Sequence, residues 1–180
     1  MICKIGDMMK NNKTFSLWLI GPSASGKTTV SEKIYKTLSK NNTNLVLLDG
    51  DYARKIFVNE SGYDPVSRSK NIKKYVAVVS WLNSFGISSI VAAINAFEKD
   101  REYCRKNIYN YFEVFLKCSL EERIRRDKKK LYGPALSGKK KFVVGVDIPF
   151  ENPKHASLII EAENSSPENI AKKIIKDLSI

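Results

Sequence analysis

Histidine occurs once in this chain, at His155, and cysteine three times, at Cys3, Cys104 and Cys118. One imidazole excludes a multi-histidine metal site and leaves little for a histidine-based triad. An odd number of cysteines at wide, irregular spacing is neither a disulfide framework nor a zinc-ligand pattern. They read as free thiols, which points to a reducing cytoplasm. No apolar run approaches the roughly 20 residues that cross a bilayer. Residues 1–15 are polar and lysine-containing, without the apolar stretch of a signal peptide. Residues 1–14 are expected to form a flexible tail, and residues 15–180 one domain, because no internal repeat or low-complexity linker interrupts them.

Charge, by contrast, is plentiful and lopsided. Lysine and arginine number 31 against 19 acidic residues, a formal charge of +12. Such a field attracts anions, either nucleic acid or small polyphosphates. The basic residues are spread along the chain with one dense region, Arg123 to Lys141, and no aromatic-interleaved nucleic-acid module accompanies them. The pattern favours a small anionic ligand over nucleic acid.

Apolar runs alternate with helical spacing. Phe15 to Ile20, Leu45 to Leu48, Ser88 to Ile94, Tyr111 to Leu116 and Leu158 to Ile160 read as strands. Val30, Ile34 and Leu38 share one helical face, Ile72 to Trp81 has helical composition, and Ile170, Ile174, Ile175 and Leu178 line a closing helix. Ser119 with Glu122 has capping-box spacing, and Ser166-Pro167 fits an N-cap with proline in the first turn. Strands alternating with helices predict an α/β fold, a parallel sheet covered on both sides. The stretch from about 128 to 150, rich in lysine, glycine and proline, is expected to be a mobile lid.

Gly21-Pro-Ser23-Ala24-Ser25-Gly26-Lys27-Thr28 fills every fixed position of the P-loop pattern, after a strand and before a helix. Glycines let the backbone wrap phosphates with its N–H groups inward, and the helix N-terminus adds positive potential. Lys27 is placed to reach the β- and γ-phosphates of ATP, and the Thr28 hydroxyl to ligate magnesium. Thr29 belongs to the same ATP-binding turn. Asp49-Gly50-Asp51 follows the second strand and should lie at the sheet edge beside this loop. One carboxylate would hold magnesium through water and the other accept the proton of an attacking hydroxyl, unless the turn is only a helix start capped by Asp51. Arg54 and Arg68 are candidates to hold acceptor anions, since guanidinium forks match phosphate and sulfate.

Taken together, the P-loop, Leu48-Asp-Gly-Asp51 with Arg54, Arg68-x-x-Asn71-Ile72, Asp100-Arg101, Arg126-Asp127, Leu131-Tyr132 and Gly145-Val-Asp147-Ile-Pro149-Phe-Glu151 resemble the adenylylsulfate kinase family, in one register over residues 15–178. The resemblance implies a P-loop kinase, a three-layer sandwich with a lid. It implies transfer of the γ-phosphoryl group of ATP, with Mg2+, to the ribose 3′-hydroxyl of adenylylsulfate, as in sulfate assimilation. It implies Asp51 as base or positioning residue for that hydroxyl, and an acceptor site of Asp49, Arg54, Tyr63, Arg68, Asn71, Ile94, Asn95, Lys141 and Phe142. Magnesium would fall to Thr28 and Asp49. Arg126 would begin the lid on the ATP side, and the chain would pair into a homodimer.

The departures bear on the acceptor. Where the family usually reads Ile-Ser-Pro-Tyr-Arg, this chain reads Ile94-Asn95-Ala96-Phe97-Glu98. Asn95 excludes a phosphoserine at that place, and Glu98 exchanges a cation for an anion. Where the family's lid carries Asn-Phe-Thr, Phe142-Val143-Val144 puts valine at the position of the base-stacking ring. Loss of one aromatic face costs about 1–3 kcal/mol of stacking. Some proteins similar to this family phosphorylate cytidine diphosphoramidate in capsule biosynthesis, and a smaller pyrimidine asks less of the stack. Two other readings stay open: a nucleotide switch with slow ATP hydrolysis, and a nucleic-acid end kinase.

Overall fold

A computed structural model describes residues 14–41, 44–57 and 62–178. Residues 1–13, with Cys3 and nearly all of the expected tail, lie outside the described residues. Thr14, the last residue assigned to that tail, is instead part of the fold. It is buried, and its carbonyl accepts from Asn110 Nδ2 at 2.9 Å.

Five parallel strands form one sheet: β1 (Ser16–Ile20), β2 (Leu45–Asp49), β3 (Ser88–Ala93), β4 (Tyr111–Lys117) and β5 (Leu158–Glu161), in the order β2-β3-β1-β4-β5. The middle strand is apolar without alternation because it is covered on both faces. Leu17 and Leu19 point to a core shared with Val30 and Ile34 of α1 (Lys27–Leu38) and Ile170 and Ile174 of α7 (Pro167–Asp177). Trp18 and Ile20 point the other way, into a core with Ile72, Tyr75, Val76 and Val79 of α3 (Pro65–Ser84) and Cys104 of α4 (Glu98–Asn107). Ile34 and Ile174 have no exposed surface, so truncation of either to alanine would cost about 2–5 kcal/mol.

Helix starts follow local chemistry. Ser119 and Ser166 cap α5 (Leu120–Arg125) and α7, accepting from the amides of Glu122 and Asn169. Asp64 caps α3 through the amides of Val66 and Ser67, with Pro65 in the first turn, so this helix begins well before Ile72. The cap of α2 (Gly50–Ile56) is Asp49, whose Oδ1 accepts from the amides of Asp51 and Tyr52, not Asp51 as in the alternative that made this turn only a helix start. Helix α4 had no counterpart in the sequence reading, because its buried face is Glu98, Asp100, Arg101 and Cys104 rather than aliphatic.

Between residues 128 and 150 lies one short helix, α6 (Tyr132–Leu136). Tyr132, Ala135 and Val143 form one small core beside Ala24, while Val144 and Ile148 pack on Ala96 and Phe97. The segment is thus seated on the loop after β1 and on the loop after β3. Among the described residues no helix is long and apolar enough to cross a membrane.

Candidate active site

β1 is flanked by β3 on one side and β4 on the other, so the connections diverge at its carboxyl end and open a crevice there. A cavity of about 830 Å³ occupies that place. Every residue assigned from the sequence to catalysis or to ATP, acceptor or metal binding lines it except Gly21. Gly21 shapes the turn instead: a Cβ on it would stand 2.8 Å from both the Leu116 carbonyl and Ser25 Oγ. Gly26, the residue before α1, has φ +96, a backbone that glycine adopts without steric cost.

Lys27 Nζ folds back onto the Pro22 carbonyl at 2.6 Å, with Ser25 Oγ at 3.5 Å. Burial pushes its ammonium down to about 8, opposed by the carboxylates of Asp51 and then Asp49. Thr28 Oγ1 donates to Asp49 Oδ2 at 2.7 Å, so the two oxygens predicted for magnesium converge. Among the described residues no group of three or more His, Cys, Asp or Glu is set for a metal. Thr28 and Asp49 offer the one or two protein ligands that magnesium bound with nucleotide phosphates needs.

Across the cleft stand the acceptor candidates. Arg54 donates to the Gly62 carbonyl at 3.2 Å and lies 4.7 Å from the Tyr63 ring centroid. Arg68 donates through Nε to the Tyr63 carbonyl at 2.7 Å and through Nη2 to the Phe142 carbonyl at 2.8 Å, joining the lid to the acceptor wall. Burial, then the neighbouring Arg54 charge, lowers Arg68 to about 10. Asn71 is buried at the cleft, and Ile94 and Asn95 follow the end of β3. Arg126 pairs with Glu122 and donates to the Ala162 carbonyl at 3.2 Å, on the rim nearest α7. Lys141 is exposed at the lid edge, and Phe142, at φ +65, keeps an exposed ring on the cleft.

Two departures noted in the sequence gain a setting here. Val143, itself a lid residue, packs on Tyr132 and Ala135 and still borders the cavity. Glu98 turns away from the acceptor, into ion pairs with Arg101 and Arg105, so its charge reversal is spent inside the protein. Two residues were missed. Lys129 forms an ion pair with Asp51, hidden in the sequence among like neighbours in a lysine run. Tyr132, quoted above only as part of a motif, donates its hydroxyl to the Ser23 carbonyl of the P-loop at 2.8 Å and accepts from Arg123 Nη1 at 3.0 Å.

A P-loop at a sheet switch point, facing a carboxylate and two guanidinium groups under a lysine-rich lid, defines an ATP-dependent phosphotransferase. The chain belongs to the adenylylsulfate kinase family: the family model described as Adenylylsulphate kinase matches residues 13–161. It is 39% identical over 175 residues to a cytidine diphosphoramidate kinase of Campylobacter jejuni subsp. jejuni serotype O:2, covering 96% of this chain and 100% of that one. It is 33% identical over 169 residues to an adenylyl-sulfate kinase of Oceanobacillus iheyensis, covering 93% of this chain and 85% of the relative. The solved structure of the Mycobacterium tuberculosis APS kinase CysC in complex with AMPPNP and APS superposes with a TM-score of 0.87 at 28% identity, over 93% of this chain and 98% of that one.

Proposed function

We propose that this kinase transfers the γ-phosphoryl group of ATP to the ribose 3′-hydroxyl of a nucleotide bearing a 5′ mixed anhydride, and that the nucleotide is cytidine diphosphoramidate. One observation carries the transfer: the loop that cradles phosphates and the Asp51, Arg54 and Arg68 wall line the same cavity, with Asp51 the foremost charge acting on Lys27. Two observations support the acceptor. The match to the cytidine diphosphoramidate kinase covers 96% of this chain and 100% of the relative, and aliphatic Val143, at the place of the family's stacking ring, packs on Tyr132 and Ala135 within the lid.

In this reading the P-loop amides and Lys27 hold the β- and γ-phosphates. Asp51 aligns the 3′-hydroxyl and receives its proton as the oxygen bonds to phosphorus and ADP departs. Arg54, Arg68 and Lys141 hold the 5′ anhydride, with Asn71 and the Ile94–Asn95 peptides beside it, and Tyr63 offers its ring to the base. Thr28 and Asp49 would hold magnesium, which offsets charge on the phosphate oxygens when bound. The remaining contribution is positioning and charge complementarity. ATP as donor and the free thiols at Cys104 and Cys118 support a cytoplasmic setting for the reaction.

A second reading, adenylylsulfate as acceptor, is favoured by one observation: the Phe142 ring is exposed and lines the same cavity as Tyr63, so a second ring is available to stack on adenine. ADP release by the purified protein, measured with each acceptor in parallel, separates the two. A higher kcat/KM for the cytidine compound supports the first reading. A higher value for adenylylsulfate replaces it with the second, and turnover of neither overturns both.

A further inference from the structure

The loop leaving β3 forms the floor of the acceptor side, and each of its peptides is held from behind. The Ile94 carbonyl accepts from the Gly21 amide at 3.4 Å, and the Ala96 carbonyl from the Glu151 amide at 2.9 Å. The Glu98 amide donates to the Glu151 carboxylate at 2.6 Å. Asn95, at φ +39, has a left-handed backbone that costs a side-chain-bearing residue energy unless its surroundings enforce it. The Asn95 carbonyl that this turn presents accepts from Arg101 Nη1 at 2.9 Å.

Arg101 has no exposed surface. Its Nε and Nη2 fork onto Glu98 Oε2 at 3.0 and 2.8 Å, and Nη2 also donates to the Glu151 carbonyl at 2.8 Å. Its guanidinium lies 5.6 Å from the ring centroid of Phe150, which stacks on Phe115 of β4 at 5.1 Å. Glu98 in turn accepts from Arg105 and from the Lys154 amide at 3.3 Å. One buried cation therefore bonds the cleft floor at Asn95 and the returning end of the lid at Glu151. Only a planar, multi-donor head spans such a set of acceptors; an ammonium does not.

We propose that Arg101, held in place by Glu98 and Glu151, is a positioning residue for the acceptor, fixing the 94–97 floor and tying it to the lid's return so that the two move as one body. The inference rests on the reading of Ile94 and Asn95 as acceptor-facing. Arg101 touches no substrate; it acts through the Asn95 peptide. The phosphate-binding half of the cleft, apart from the Gly21 amide, takes no support from this cluster.

The test uses Arg101→Lys, which keeps the charge and loses the fork, and Glu98→Gln, which keeps the shape and loses the charge. Steady-state kinetics should show acceptor KM raised at least about tenfold with ATP KM within about twofold of wild type. Amide hydrogen exchange, read without substrate, should show peptides covering 94–98 and 148–151 loosening together while those reporting on 23–28 stay protected. A parallel rise in both KM values, an unchanged acceptor KM, or loosening of one segment alone overturns the proposal. Glu151→Ala leaves the buried ion pair intact and removes only the cap on the Glu98 amide. It should shift the same two readouts in the same direction by less, and it serves if the arginine variant does not fold. Should wild type turn over no acceptor, the acceptor reading falls, and the exchange pattern still judges the brace.

Discussion

Tyr132→Phe removes a single oxygen from a side chain with no exposed surface. That oxygen accepts from Arg123 Nη1 and donates to the Ser23 carbonyl, so its loss leaves a buried guanidinium donor and a P-loop carbonyl each short of a partner. Bonds involving a charged group contribute about 1.5–3 kcal/mol, and an abandoned polar group costs about 1–3 kcal/mol. Contact of the Arg123 guanidinium with the ring face, at 5.3 Å, survives the change. A net loss of about 2–3 kcal/mol is therefore expected. For a chain of this length that is a fall in Tm of roughly 5–10 °C. Because Ser23 belongs to the loop that cradles phosphates, ATP KM should rise as well, by about three- to tenfold, while acceptor KM holds. Thermal melts and steady-state kinetics on the purified variant read both. A Tm within about 2 °C of wild type with unchanged ATP KM would refute the claim that the lid supports the P-loop through this hydroxyl.

Four further outcomes are expected. Gly145→Ala should reproduce the loss of stability and ATP affinity by another route. Its φ is +88, and the new Cβ would meet Arg123 Nη1 at 2.3 Å; melts and ATP titration check it. Asp51→Ala should abolish phosphoryl transfer while ATP binding, followed calorimetrically, stays within about threefold of wild type; wild-type turnover would sink the role given to Asp51. Lys129→Met should lower kcat about tenfold or more with Tm nearly unchanged, since exposed ion pairs add little stability; equal kcat would show the pair to be ornamental. Burial pushes the Cys104 thiol up to about 12, above its ordinary 9.0. Its folded-state pKa is therefore raised, so its contribution to stability is present below about pH 9 and is lost as pH climbs from there toward 12. Wild type should lose Tm between pH 9 and 10.5 more steeply than Cys104→Ala, and native protein at pH 8 should leave Cys104 unlabelled by a thiol reagent.

Much of the fold was readable because its signals are local and apolar. All five strands are short runs bounded by turns, and the caps at Ser119 and Ser166 lie where their spacing puts them. The P-loop was legible because backbone wrapping of phosphates tolerates few residues at its fixed positions. Helix α4 escaped because its buried face is ionic: Glu98, Asp100 and Arg101 look like a solvated surface until Glu151 and Asn95 arrive from elsewhere in the chain. Lys129 escaped for a related reason. Five basic residues stand between Arg125 and Lys130 with only Asp127 among them, and nothing local distinguishes the one that meets Asp51. Asp49 and Asp51 were read together, yet which of them caps α2 depends on backbone geometry one residue either side. Val143 was read from its position in a motif, but its direction is set by Tyr132 and Ala135, which no pattern of spacing reveals.

The placement of β1 between β3 and β4 has a consequence for how such enzymes diversify. The groups proposed to face the acceptor come from the β2 and β3 side and from the lid, whereas the rim at Arg126, Ala162, Ser165 and Pro167 comes from the β4 and β5 side. The two flanks of the cleft thus draw mainly on different stretches of chain, joined where Thr28 meets Asp49 and where the Gly21 amide meets the Ile94 carbonyl. A lineage can try new acceptors while its ATP chemistry keeps running, so a single scaffold can come to serve different metabolic branches by changing one flank of its sheet.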